Sequence, residues 1–112
     1  MWIFTTSGFV SAVQNTDGKL AVRARDALSL VDLAKLSESK ILRTPTADYP
    51  YRVIIEREQL RTWLNSQIDD LDYPNFKSEV AIERGDEFAH ALYPVWDAMH
   101  KVEDEEAREG AH

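Results

Sequence analysis

Residues 9–25 have the sequence FVSAVQNTDGKLAVRAR. Apolar and polar side chains alternate on both sides of the NTDG stretch, which is the period of a strand with one buried face. Asp17-Gly18 is typical of a hairpin turn, because glycine tolerates a positive φ. The same alternation over residues 2–5, before a turn at residues 6–8, predicts a further strand. We therefore predict a three-stranded meander within the first 25 residues.

Beyond this meander the pattern changes between helix and strand. Asp26 is a suitable N-cap, because its carboxylate can accept a hydrogen bond from a first-turn amide. We predict the order helix, strand, strand, helix at residues 27–37, 40–44, 49–56 and 57–68. In the second of these strands one face is expected to carry Tyr49, Tyr51, Val53 and Ile55.

Two more helices are predicted after the breaker at residues 69–75. The first begins at Pro74 or Asn75, Gly85 separates it from the second, and Pro94 lies inside the second. Residues 103–112 are charged and small, so we predict a disordered acidic tail there. A single domain is predicted over residues 1–102.

The order of these elements predicts an α+β fold. Starting from the third strand, the order β-α-β-β-α is most of a ferredoxin-like fold, and a strand of the N-terminal hairpin would replace the missing last strand. We expect one domain with a mainly antiparallel sheet of about five strands, helices on one face and additional C-terminal helices.

Composition excludes several classes of site. The chain of 112 residues has no cysteine, which rules out disulfides, thiolate metal sites, iron–sulfur clusters and cysteine nucleophiles. No apolar run approaches the roughly 18 residues of a membrane span. No signal-peptide pattern is present. We therefore expect a cytoplasmic protein without a membrane partner.

The charge is uneven along the chain. The net charge is -7, and residues 61–112 hold 13 acidic and only 5 basic side chains, whereas residues 1–60 hold 7 and 8. An acidic chain repels phosphate backbones, which disfavours direct nucleic-acid binding. A basic patch in the first half remains available for an anion.

Arginines on the predicted strands are the first candidate site. Arg23 and Arg25 share a strand face, and Arg43 and Arg52 lie on other strands. If these faces coincide, their forked guanidinium groups form an anion-binding surface that suits phosphate or carboxylate. The alternative is an ordinary solvated sheet face, with Glu56 or Glu58 as neutralising partners.

The turn at residues 72–77 is the second candidate. Tyr73, Asn75 and Lys77 would present hydrogen-bond donors at a helix N-terminus, where anions bind well. The alternative is a rigid connector in which Tyr73 and Phe76 staple two helices together. The predicted ligand- or partner-binding residues are Arg23, Arg25, Arg52, Tyr73, Asn75 and Lys77.

No catalytic motif accompanies these residues. The sequence lacks a glycine-rich phosphate loop, a nucleophile elbow and a His-Glu-x-x-His motif, so we predict no catalytic residues, no metal and no cofactor, and we favour a protein that is not an enzyme.

The leading interpretation is a small interaction or regulatory protein that binds a protein or a small anionic ligand. One alternative is an acidic inhibitor or nucleic-acid mimic, related to phage or defence. A second is a metal-dependent hydrolase that uses Asp69, Asp70, Asp72 and a histidine. The sequence also leaves open whether the protein forms a homodimer.

Several short motifs resemble, in order, those of a family of small uncharacterised bacterial and phage proteins. They are MWIFTTSGFVSAVQ at residues 1–14, VRAR at 22–25, DYPYR at 48–52, DYPNFK at 72–77 and VW at 95–96. The resemblance covers residues 1 to about 100. It implies no activity or cofactor, but its motifs coincide with the arginine set and with the turn at residues 72–77.

Overall fold

The structure is a computed structural model that describes the backbone of residues 1–110 and all their side chains except those of residues 104, 107, 109 and 110. By its contacts the chain divides into two compact units, Met1–Pro74 and Asn75–His112. Each unit is described by itself below.

The first unit contains a five-stranded sheet. Its strands are β1 (Trp2–Thr5), β2 (Gly8–Gln14), β3 (Leu20–Ala24), β4 (Leu42–Arg43) and β5 (Tyr51–Ile55). The strand order is β1-β2-β3-β5-β4, and every neighbouring pair is antiparallel. This arrangement confirms the predicted α+β fold with a mainly antiparallel sheet.

Two helices belong to the same unit. A 3₁₀ turn (Leu28–Leu30) leads into α1 (Val31–Ser37), and α2 (Arg57–Asp69) follows β5. As predicted, the carboxylate of Asp26 accepts a hydrogen bond from the Ser29 amide at 3.2 Å. Helix α2 begins with a capping box, in which the side chains of Glu56 and Gln59 satisfy each other's backbone amides.

The predicted ferredoxin-like portion is confirmed. The elements β3, α1, β4, β5 and α2 follow in the expected order, and β5 lies between β3 and β4. On its other side β3 pairs with β2, a strand of the N-terminal hairpin, at the position where a last strand was missing.

One face of the sheet forms the core of this unit. Because side chains alternate along each strand, every second residue of β2, β3 and β5 points to the same side. The core residues of these strands and helices are Val10, Ala12, Leu20, Val22, Ala24, Leu30, Leu33, Ala34, Val53, Ile55, Leu60 and Trp63. Burial of each large apolar side chain contributes about 1.5–3 kcal/mol, so this face holds the sheet and the helices together.

The second unit is a pair of helices, α3 (Phe76–Arg84) and α4 (Asp86–Gly110). Gly85 joins them with φ 92° and ψ 164°, a conformation that essentially only glycine adopts. Helix α4 continues through Pro94, although proline removes one backbone hydrogen bond. Within residues 1–110 no helix has both the length and the apolar character that a membrane crossing requires.

Helix α4 includes the acidic C-terminal segment as far as residue 110. Glutamate, alanine and arginine are strong helix formers, so the segment can extend a helix that packing has already begun. Residues 111–112 of the predicted tail lie outside the described residues. The predicted single domain over residues 1–102 and the predicted disordered tail after it both stay predictions.

Candidate binding face of the sheet

Three of the four arginines lie on the sheet face opposite the core. Arg23 and Arg52 are direct partners in the β3–β5 register, and paired residues of antiparallel strands point to the same side. Arg25 follows Arg23 by two residues and returns to that side. Arg43 pairs with Tyr51, which packs against the core, so Arg43 lies on the core side of the sheet. The prediction that all four arginines form one surface is therefore wrong for Arg43.

Tyr49 joins these arginines. The Cζ atoms of Arg23 and Arg25 lie 4.6 Å and 4.7 Å from the centre of its ring, within the range of cation–π contact. The prediction that Tyr49 shares a face with Tyr51 is therefore wrong. Pro50 separates the two tyrosines, and Tyr49 lies before β5 begins. We call Arg23, Arg25, Tyr49 and Arg52 the arginine face.

A row of aromatic rings leads up to the arginine face. The ring of Phe9 stacks on Phe4 with centroids 4.5 Å apart and meets Trp2 edge-on at 5.8 Å. Its other neighbour is Tyr49, at 6.4 Å. Trp2 is 69% exposed, so the row offers an accessible apolar surface beside the arginines. We call Trp2, Phe4 and Phe9 the aromatic row.

The guanidinium groups of Arg23 and Arg52 donate hydrogen bonds to uncharged hydroxyl oxygens. Arg23 donates to the Ser11 hydroxyl at 2.8 Å, and Arg52 donates to the Thr44 hydroxyl at 2.6 Å. Because each guanidinium carries five N–H donors and neither hydroxyl is charged, the positive charge stays available. The Nε of Arg23 is buried and makes no hydrogen bond.

Arg25 differs because an acidic group accompanies it. It donates to the backbone oxygen of Asp48 at 2.9 Å and lies 3.4 Å from the Asp48 carboxylate. Both side chains are more than half exposed, so this ion pair is weak and screened by salt.

The glutamates expected as alternative partners pair elsewhere. Glu56 lies 3.7 Å from the ammonium of Lys19, and Glu58 pairs with Arg61 within α2. Neither glutamate therefore pairs with a residue of the arginine face.

The remaining predicted residues fall on both sides of the division between the units. Tyr73 belongs to the first unit and is half-buried, whereas Asn75 and Lys77 belong to the second. The Asn75 side chain caps α3 by accepting a hydrogen bond from the Ser78 amide at 2.9 Å. The Lys77 ammonium lies 4.4 Å and 4.9 Å from the ring centres of Trp96 and Tyr93.

The second unit also contains a groove of about 300 Å³. Asn75, Lys77, Asp86 and His90 contribute polar atoms to its lining. The pair Asn75–Lys77 is therefore brought together around one groove, while Arg23, Arg25 and Arg52 are brought together on the sheet.

The acidic cluster considered for metal chemistry lies at the end of α2. Asp69 is the last residue of this helix, and Asp70 follows as its C-cap. Within the described part of the chain, no three histidine, aspartate or glutamate side chains group closely enough to hold a metal ion.

Comparison with known proteins gives no relative. No family model matches the chain, and neither the curated proteins nor the solved structures contain a significant match. The resemblance to small bacterial and phage proteins therefore stays a prediction.

Proposed function

We propose that the protein is a small interaction or regulatory module whose arginine face captures an anionic group of a partner protein or of a small ligand. The observation that carries this proposal is the direct opposition of Arg23 and Arg52 on a sheet face, with neutral hydroxyls as their acceptors. Guanidinium forks bind carboxylate and phosphate through paired, charge-assisted hydrogen bonds.

The ring of Tyr49 supports a binding role because it orients the arginines. A flexible arginine side chain loses rotamer freedom when it binds, and that loss reduces affinity. Contact with the tyrosine ring restricts Arg23 and Arg25 before a ligand arrives. The site is thus partly preorganised for an anion.

The aromatic row indicates the rest of the ligand. An anion that carries a planar or apolar group can place its charge on the arginines and its apolar part against Phe9 and Trp2. Such a ligand gains binding free energy from apolar burial as well as from charge.

We propose a cytoplasmic setting for this activity, as expected from the cysteine-free sequence.

Titration with phenyl phosphate and with benzoate tests the proposal. Phenyl phosphate and benzoate carry the two anionic groups considered, each on a planar ring. In ¹H–¹⁵N correlation spectra we expect saturable shifts at Arg23, Tyr49 and Arg52. Inorganic phosphate and acetate should bind more weakly, because they lack the ring. Saturable shifts confined to other residues, or no shifts with either aromatic probe, would refute the proposal.

A matched pair of variants separates the site from general charge. Arg25→Gln combined with Arg52→Gln should weaken binding of phenyl phosphate at least tenfold. Arg43→Gln combined with Arg57→Gln is the control, because it removes the same two charges outside the arginine face. Arg43 also contacts a tyrosine ring, with its Cζ 5.8 Å from the centre of Tyr51, but lies on the other face, and Arg57 begins α2. Equal losses in both proteins would show that net charge, and not the arginine face, attracts the anion.

A further inference from the structure

Helix α4 carries an apolar seam that is exposed toward its C-terminal end. Phe88, Leu92, Val95, Met99 and Val102 follow one another at spacings of four, three, four and three residues. This spacing repeats every seven residues and puts all five on one side of the helix, as the core positions of a coiled coil do. We call these five residues the α4 seam.

The C-terminal part of the seam is exposed to solvent. Val95 is 41%, Met99 60% and Val102 51% exposed, and the neighbouring Trp96 is 51% exposed. By contrast, Ala89 on α4 and Val80 on α3 are buried. Phe88 and Leu92 are half-buried, so the exposed strip of large apolar side chains runs from Val95 to Val102. A folded protein rarely exposes such a strip without a binding role.

Small residues border one side of the seam. Ala91 and Ala98 occupy the positions next to the seam residues Leu92 and Met99. Both are exposed, and neither projects a long side chain. A second helix can therefore approach α4 closely along this side.

The charge on α4 indicates which kind of partner helix would bind to it. Residues 86–110 contain eight acidic side chains and only two basic ones, Lys101 and Arg108. Toward the C-terminal end, the positions that flank the seam are Glu103 and Glu105, both exposed. In helix pairs such flanking residues choose the partner, because opposite charges attract there and like charges repel.

We propose that the α4 seam is a docking surface for a basic amphipathic helix of a partner protein. The partner would place its apolar face on the seam and its lysines or arginines beside Glu103 and Glu105. A second copy of this chain is disfavoured, because two α4 helices would oppose two strongly acidic segments, and neither Lys101 nor Arg108 of α4 flanks the seam. This docking surface is independent of the arginine face.

A designed peptide pair tests the proposal on the full chain. Both peptides are helical and have leucine at the seam positions; one has lysine and the other glutamate at the flanking positions. We expect the lysine peptide to bind at least tenfold more tightly in isothermal titration. Its affinity should fall when salt rises from about 0.05 to 0.5 M, because exposed charge pairs are screened.

Variants place the binding on the seam. Met99→Glu should reduce the affinity for the lysine peptide at least tenfold. Ile82→Glu is the matched control, because Ile82 is an apolar residue of α3 that is 77% exposed but lies outside the seam. Circular dichroism checks that both proteins keep their helices.

Three outcomes would overturn the proposal. The first is equal affinity for the two peptides, and the second is no binding of either. The third is a dimer of the free protein, seen by analytical ultracentrifugation and abolished by the seam variant, which would assign the surface to a second copy. Arg25→Gln combined with Arg52→Gln should leave peptide binding intact, so failure here is distinguishable from failure of the arginine face.

Discussion

Arg23 and Arg52 lie directly opposite each other across β3 and β5, yet their guanidinium groups donate in opposite directions. Arg23 reaches Ser11 on β2, and Arg52 reaches Thr44 beyond β4. Like charges at directly opposed positions destabilise a sheet, and turning the two groups apart relieves that repulsion. An anion that binds between them would gain from both charges.

Removal of the Ser11 hydroxyl should destabilise the fold more than removal of the Thr44 hydroxyl. Ser11 is only 1% exposed, so Ser11→Ala leaves an N–H group of Arg23 without an acceptor in a place that water hardly reaches. We expect a loss of about 1–3 kcal/mol in the free energy of unfolding. Thr44→Val should cost less than about 1 kcal/mol, because water can replace the half-exposed hydroxyl. Urea unfolding measures both, and equal losses would contradict the assignment.

Replacement of the Tyr49 ring should affect stability and anion binding together. Tyr49 is only 9% exposed, and Tyr49→Leu removes the cation–π contacts of its ring to Arg23 and Arg25. Each contact is worth at least about 0.5–1 kcal/mol. We expect a stability loss of about 1–2 kcal/mol and weaker binding of phenyl phosphate. Tyr49→Phe keeps the ring and is the control. If Tyr49→Leu binds the probe as tightly as the natural protein, the ring does not orient the arginines.

Asn75 should act as a helix cap. Asn75→Ala leaves the Ser78 amide without its side-chain acceptor and should destabilise α3 by about 1 kcal/mol. Asn75→Asp retains an acceptor at the same place and should restore most of the stability. Thermal unfolding followed by circular dichroism compares the two. If Asn75→Ala were as stable as the natural protein, the capping role would be refuted.

Gly85 should tolerate no other residue without strain. At its φ of 92° and ψ of 164° an alanine is expected to cost about 1–3 kcal/mol, although its Cβ would meet no atom within 4 Å. The expected effect is thus on the backbone alone. Hydrogen exchange should show faster exchange in α3 and at the start of α4, while the sheet amides stay protected. Unchanged exchange in α3 would contradict this account.

The strand pattern of the sheet was readable from sequence because its signals are local. Alternation and the Asp17-Gly18 turn predict β2 and β3, and the structure places Phe9 and Ser11 on the same face as Arg23. The helices have the predicted apolar spacing and start near the predicted residues. Each of these features depends on neighbours a few positions away.

The sequence alone did not show on which face of the sheet Arg43 and Tyr49 lie. Arg43 belongs to a strand of two residues, and its face is set by pairing with Tyr51 far along the chain. A shift of one residue moves a side chain to the other face. Tyr49 was placed by an alternation that Pro50 interrupts. The hydroxyl partners Ser11 and Thr44 were likewise missed, because a hydrogen bond across strands requires the register, and the register requires the fold.

The position of β5 between β3 and β4 has a consequence for the route by which the chain folds. The hairpins of β1, β2 and β3 close over short loops, whereas the β3–β5 ladder must enclose α1 and β4. Closing a longer loop loses more chain entropy and slows folding. We expect pulsed hydrogen exchange during refolding to protect the amides between β2 and β3 earlier than those between β3 and β5. The arginine pair, which needs both ladders, would then be assembled only in the late stage, after the aromatic row had formed.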